Sequence, residues 1–235
     1  MTVSAADTVC PVMVFAKAPT PGEAKTRLIP ALGAAGAAAL HRRLVMHCLR
    51  AARDSRLGPV ELWCAPDAGD PFFRECERRF GASLHSQGEG DLGARMQGAF
   101  DAALARAPRA ILVGSDIPAL SAQYLRDAER ALAGGDDAVI GPAEDGGYVL
   151  VGLSRCDPEL FRGIPWGGSE ALAETCRRIA ALGWRLSELP ALWDVDRPED
   201  LERLSEDMRE SFMPAAGGAG DRNGFGTPRN RGGLS

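Results

Sequence analysis

Val9-Cys10-Pro11-Val12-Met13-Val14-Phe15 is a short, almost unbroken apolar run, and Ala16-Lys17-Ala18-Pro19-Thr20-Pro21-Gly22-Glu23-Ala24-Lys25-Thr26-Arg27 follows it as a loop rich in Pro, Gly and Lys. An apolar run of that length without alternation is the pattern of a strand covered on both faces, as in a parallel sheet. It is read here as the first, central strand. The loop behind it lies where doubly wound folds bind ligands, beyond the carboxyl ends of the strands. Downstream the pattern alternates. Residues 34–53, dense in Ala and Leu at helical spacing, predict a long helix. Strands are predicted at 60–64, 110–113, 138–140, 147–153 and 184–189, and helices at 72–80, 92–106, 121–133, 169–182 and 198–204. Strand–helix alternation implies right-handed parallel crossovers, while the tight Asp145-Gly146-Gly147 turn lets the strand after it run antiparallel. The expected fold class is α/β: one Rossmann-type α/β/α sandwich with a mostly parallel, mixed sheet over residues 9–212. An N-terminal extension covers 1–8. Residues 213–235 are expected to be a disordered tail, because Gly, Asn, Arg and Pro without large apolar side chains cannot offset the entropy of ordering.

Composition narrows the function classes. At 235 residues and a net charge of −5, with charges mixed along the chain, nothing resembles the basic stripe of a nucleic-acid binder. No basic n-region opens the chain and no apolar stretch is long enough to span a bilayer. A cytoplasmic protein without membrane insertion is expected, and a homo-oligomer is left open. The six cysteines lie far apart without C-x-x-C spacing, as buried thiols of a reducing compartment do. His41 and His47 fall inside the predicted long helix, so a zinc site or a Ser-His-Asp hydrolase is hard to build.

Five segments can carry chemistry. In the first loop, Gly22 with Lys17, Lys25 and Arg27 can cradle a polyphosphate, which needs cations and amide donors; a solvated loop of exposed charges is the alternative. Gly114-Ser115-Asp116-Ile117-Pro118 delivers a carboxylate at a strand end, suited to a hard cation, unless Asp116 only shapes the turn ahead of Ser121. Gly141 to Tyr148 sets the paired glycines Gly146 and Gly147 beside two carboxylates, Glu144 and Asp145, which suits a close-approaching ligand with an acid near it, or forms a plain turn. Trp193-Asp194-Val195-Asp196 can present two carboxylates to one cation if extended, with Asp196 alternatively capping the helix at Pro198. Gln87 to Met96 is a Gly-rich loop opening a helix, with Asp91 as its cap or the loop amides and Arg95 reading a nucleotide or phosphate. A cation shared by Asp116 and Asp194 or Asp196 requires the two strand ends to converge, and crowding there should raise one carboxyl pKa.

Together K-A-P-x-P-G-x-A-K-T-R-L, G-D-L-G-x-R-M, G-S-D-I-P, G-P-A-x-D-G-G-Y, a Trp-Gly element at Trp166 and D-V-D-R-P-E-D-L resemble the bacterial DUF2064 family of small glycosyltransferase-A-type (GT-A) proteins. Members are called arsenosugar-biosynthesis glycosyltransferases by association, and the A-K-T-R-L segment is also similar to phospholactate guanylyltransferases. The resemblance runs from about Val9 to Leu204. It implies a nucleotide-diphospho-sugar transferase fold, nucleotide binding at the first loop and at Gly93 and Arg95, and magnesium or manganese at Asp116 with Asp194 or Asp196. Gly146, Gly147, Tyr148 and Trp166 fall on the acceptor side, with Asp145 as base. Two positions depart from the family pattern: Ser115 stands first where many glycosyltransferases have D-x-D, and Gly168 stands two residues after Trp166, where a hydroxyl is usual. The expected activity is metal-dependent glycosyl transfer from a nucleotide-sugar to a small-molecule acceptor. Nucleotidyl transfer from a nucleoside triphosphate is the alternative, and a non-catalytic nucleotide-binding protein the second.

Overall fold

The computed structural model describes residues 9–213. The extension at 1–8 and the predicted tail from 214 onward lie outside the described residues. In chain order the elements are β1 (Val12–Lys17), α1 (Ile29–Ser55), β2 (Val60–Ala65), α2 (Pro71–Phe80), β3 (Ser83–Ser86), α3 (Leu92–Leu104), β4 (Ala110–Val113), α4 (Ala122–Ala133), β5 (Ala138–Pro142), β6 (Tyr148–Leu153), α5 (Ala171–Ala181), β7 (Leu186–Glu188) and α6 (Glu206–Phe212). The strands form one sheet in the order β3-β2-β1-β4-β6-β5-β7. The first strand is therefore one place off centre. The sheet grows by three strands beyond β4, and β4 itself takes the middle.

β1 pairs in parallel with β2 and β4, and β2 with β3. β6 runs antiparallel to both β4 and β5, and β7 parallel to β5. The single reversed strand has a consequence for function. β1 to β5 and β7 all end at one edge of the sheet, and β6 begins there.

Alternation along β1 divides the core. Val12, Val14 and Ala16 pack with α1, α2 and α4 on one face, and Met13 and Phe15 with α3 and α5 on the other. A third cluster of Leu28, Leu40, Leu44, Val195, Leu204 and Phe212 fastens the chain after β7 and α6 onto α1. The helical path of α1 breaks at Gly33 (φ 70°, ψ 165°), so its continuous part starts at Ala34. Four differences from the sequence reading stand out. β3, only Ser83-Leu84-His85-Ser86, was not expected; the strand predicted at 184–189 pairs only over Leu186–Glu188; Pro198–Arg203 is a 3-10 turn and no α-helix; and α6 was unforeseen. All six cysteines are free thiols. No helix among the described residues is long and apolar enough to cross a membrane.

Candidate functional site

The loop after β1 turns on itself: the Thr20 carbonyl accepts from the amides of Glu23 (3.0 Å) and Ala24 (3.1 Å), and Gly22 supplies the positive φ of 87°. Lys17 Nζ bridges the loop by donating to the Glu23 carbonyl at 3.1 Å. Lys25 is held in the left-handed region (φ 51°, ψ 46°), which a side chain rarely adopts. It is not an exposed loop charge. Its side chain is only 6 % exposed and Nζ lies 2.8 Å from Asp116 Oδ2 and 3.8 Å from Asp196 Oδ1. Arg27 pairs with Asp196. Two of the three cations expected to cradle phosphate thus hold carboxylates in this structure, because the 194–196 segment comes to the same edge.

Asp116 is the hub. Beside Lys25 it meets His41 Nδ1 at 3.0 Å, and His41 Nε2 meets the Lys17 carbonyl at 2.9 Å. His41 thus bridges the Asp116 carboxylate and the Lys17 carbonyl. Burial would raise the Asp116 carboxyl pKa, but the Lys25 charge and His41 outweigh it and hold it well below the usual carboxylate range. Sequence reading placed His41 on the helix and missed this contact. The available signal was its position on the buried stripe of α1, one turn from Ala37 and Leu44.

Convergence of the two strand ends is met: Val195 N donates to the Asp116 carbonyl at 2.9 Å. Val195 is fully buried in the third cluster and anchors the segment, so its flanking aspartates stay at the edge. Their roles differ. Asp196 is compensated by Lys25 and Arg27, and Asp200, not Asp196, accepts from the amides that open the following turn. Asp194 is pushed up to about 6, first by burial and then by Asp145, with Asp116 adding and Lys25 opposing. Among the described residues no group of three His, Cys, Asp or Glu side chains stands ready as a metal cage.

Two recesses open at this edge. A cleft of about 570 Å³ runs along the ends of β1, β2 and β4, bordered by Lys17, Glu23, His41, Gln87, Arg95, Ser115 and Asp116. Gln87 closes its floor by donating to the carbonyls of Trp63 (2.8 Å) and Ala16 (3.3 Å). A second pocket of about 190 Å³ adjoins it, sharing Phe15, Leu92 and Gly114, and is walled mainly by apolar side chains with Asp145, Tyr148 and Trp166. The Tyr148 and Trp166 rings meet edge to face, with centroids 6.2 Å apart. Asp145 Oδ1 accepts from Gly147 N at 2.9 Å, and the Gly146 carbonyl accepts from Leu172 N at 3.1 Å, which pins the turn to the segment after Trp166. A Cβ at Gly146 would strike the Ser169 carbonyl. Gly168 lines the pocket, so no side-chain hydroxyl stands at that point of its wall. Asp91 caps α3 by accepting from Ala94 N at 2.8 Å. Gly93 packs closely, since a Cβ there would strike the Phe161 carbonyl and lie 2.9 Å from Trp166 Nε1.

Residues 48–168 match the family described as uncharacterised proteins conserved in bacteria (DUF2064). A protein of Desulfovibrio desulfuricans G20 described as a candidate nucleotide-diphospho-sugar transferase is 32% identical, with a TM-score of 0.75 over 84% of this chain and 87% of its own. The chain belongs to the DUF2064 family. The fold extends to more distant structures. A nucleotidyl transfer enzyme from Methanothermobacter is similar at 16% identity and TM-score 0.58, over 86% of this chain and 99% of its own. Rv0371c from Mycobacterium tuberculosis H37Rv, in complex with manganese, is similar at 17% identity and TM-score 0.53, over 83% and 98%. Among curated proteins none matches. The family member thus has the fold of the nucleotide-diphospho-sugar and nucleotidyl transferases.

Proposed function

We propose that the protein transfers a glycosyl group from a nucleotide-sugar in the cleft to the hydroxyl of a small acceptor in the adjoining pocket. The observation that carries this is the division of charge along one continuous recess. The cleft has Lys17, Arg95 and His41 along its border with Asp116, whereas among the described residues no Lys, Arg or His lines the pocket. A nucleoside diphosphate leaving group needs the first environment. Nucleotidyl transfer, whose acceptor is itself a phosphate, would need cations in the second as well.

In this reading Lys17 and Arg95 contact the diphosphate, while Lys25 and Arg27 are positioning residues that fix Asp116 and Asp196. The acceptor oxygen bonds to the anomeric carbon as the bond from that carbon to the diphosphate oxygen breaks. The electron pair leaves with the diphosphate and the acceptor proton passes to Asp145. Asp116 and Asp194 would hold magnesium or manganese: the Asp194 pKa is raised first by burial and then by Asp145, with Asp116 adding against Lys25, and a divalent cation would favour its charged form. Such an ion, when bound, neutralises charge on the leaving diphosphate. An activated donor and free thiols suit a cytoplasmic setting.

The test is a thermal-shift panel of nucleotide-sugars, nucleoside diphosphates and triphosphates, with and without magnesium or manganese. A ligand that binds only the folded state raises the melting temperature. Metal-dependent stabilisation by a nucleotide-sugar, lost in Arg95→Ala, supports the reading; no stabilisation by any nucleotide refutes it.

A further inference from the structure

The pocket beside the cleft says more about the acceptor than its reaction type. Its volume of about 190 Å³ slightly exceeds the roughly 150 Å³ of an apolar protein cavity that holds a benzene ring. Phe15, Leu112, Trp166 and Ala171 supply its apolar wall, and Asp145 is the one charged group there among the described residues. A phosphate or carboxylate seated there would find no cation and would face the Asp145 carboxylate. A hexose would bury a ring of hydroxyls against a mostly apolar wall with too few polar groups to pair with them all, which is costly. Two residues of the wall carry a buried polar atom without a partner among the described residues, the Tyr148 hydroxyl and the Trp166 indole N–H. Thr175 stands near the Tyr148 hydroxyl and gives its own proton to the Ala171 carbonyl at 2.8 Å. Burial raises the Tyr148 pKa, so the phenol stays protonated and can donate.

Resting on the glycosyl-transfer reading, we infer that the acceptor is an uncharged molecule that seats one apolar, ring-sized group in this pocket and carries its reacting hydroxyl beside that ring. The pocket takes the ring between Phe15 and Trp166, the hydroxyl lies toward Asp145, and Tyr148 donates to an oxygen of the acceptor. Anionic acceptors are disfavoured by Asp145, and free sugars by the scarcity of polar partners.

The test uses the full chain without nucleotide, so that it does not depend on the donor. The indole N–H resonance of Trp166, assigned through Trp166→Phe, is followed in titrations with benzyl alcohol, benzyl phosphate and glucose. These probes share or lack the ring and differ in charge. Benzyl alcohol is expected to shift the resonance saturably and benzyl phosphate to bind at least about tenfold more weakly, with no shift from glucose. Tyr148→Phe should weaken benzyl alcohol by about fivefold, the share of one hydrogen bond. Asp145→Asn should narrow the gap between the two benzyl compounds. Ala171→Leu, which fills the pocket, should abolish the shift, and Tyr148→Phe keeps the inference testable if that variant does not fold. Benzyl phosphate or glucose binding as tightly as benzyl alcohol, or no saturable shift with any of them, overturns the inference. Nucleotide-sugars failing to bind the cleft would instead refute the donor reading and leave these shifts unchanged.

Discussion

Lys25→Met removes the amine but keeps the stem, and the structure fixes what that should cost. Lys25 Nζ stands 2.8 Å from Asp116 and 3.8 Å from Asp196, in a side chain that is 6 % exposed. At an effective dielectric near 20, the shorter contact alone has a gross attraction of about 6 kcal/mol. Desolvating the amine cancels much of that. Removing one partner of a fully buried pair costs about 3–5 kcal/mol. Here the Asp116 side chain is 30 % exposed and Asp196 keeps Arg27, so the loss should be about 2 kcal/mol. The pH dependence has a definite sign. The folded-state pKa of Asp116 is depressed, so its contribution is complete above the ordinary carboxylate value and is lost as pH falls below about 4. Urea denaturation from pH 7 to pH 3 should therefore show the wild type losing its advantage over Lys25→Met toward the acid end. Lys25→Gly, which relieves the left-handed backbone, should be more stable than Lys25→Ala by about 1 kcal/mol. A loss under about 0.5 kcal/mol for Lys25→Met at pH 7, the range of an exposed loop lysine, would refute the buried-hub reasoning.

Three further outcomes are expected. Asp194→Asn should stabilise the metal-free protein at pH 7 by about 1 kcal/mol in urea denaturation, after discounting the shift to about 6 for partial exposure. Because that pKa is raised, the cost exists above about 6 and vanishes as pH falls toward 4, so the gain should vanish with it. Val195→Ala should cost about 2 kcal/mol in the same assay, since it empties a fully buried site in the cluster that anchors both aspartates, and should also weaken metal binding in a calorimetric titration. Gly146→Ala should destabilise by about 1–3 kcal/mol and release the Asp145 turn, because φ is 92° and the new Cβ meets the Ser169 carbonyl.

Most of the architecture was legible because the buried strands are continuous apolar runs: Ala110–Val113 is observed where it was read, fully buried. β3 escaped because Ser83-Leu84-His85-Ser86 is short and polar on an outer position, and α6 because its one buried apolar anchor, Phe212, packs on distant α1. The site was legible as far as topology could carry it. Motifs following successive strands with the same direction must meet at one edge, so the approach of Asp116 to the 194–196 segment followed from the parallel order. What the spacing could not show was who pairs with whom. Lys25 reads as a loop lysine until its left-handed backbone turns it inward. His41 reads as one polar letter in an Ala-rich helix until α1 packs against the sheet edge.

The central claim, that a glycosyl group and not a nucleotidyl group is transferred, is tested most directly by the phosphorus-containing product. The full chain with magnesium and benzyl alcohol would be given a panel of nucleotide-sugars and nucleoside triphosphates and followed by phosphorus NMR. The expected result is conversion of a nucleotide-sugar to its nucleoside diphosphate, dependent on the alcohol and slowed at least about a hundredfold in Asp145→Asn, as loss of a general base implies. Release of pyrophosphate from a nucleoside triphosphate, with every nucleotide-sugar left intact, would contradict it.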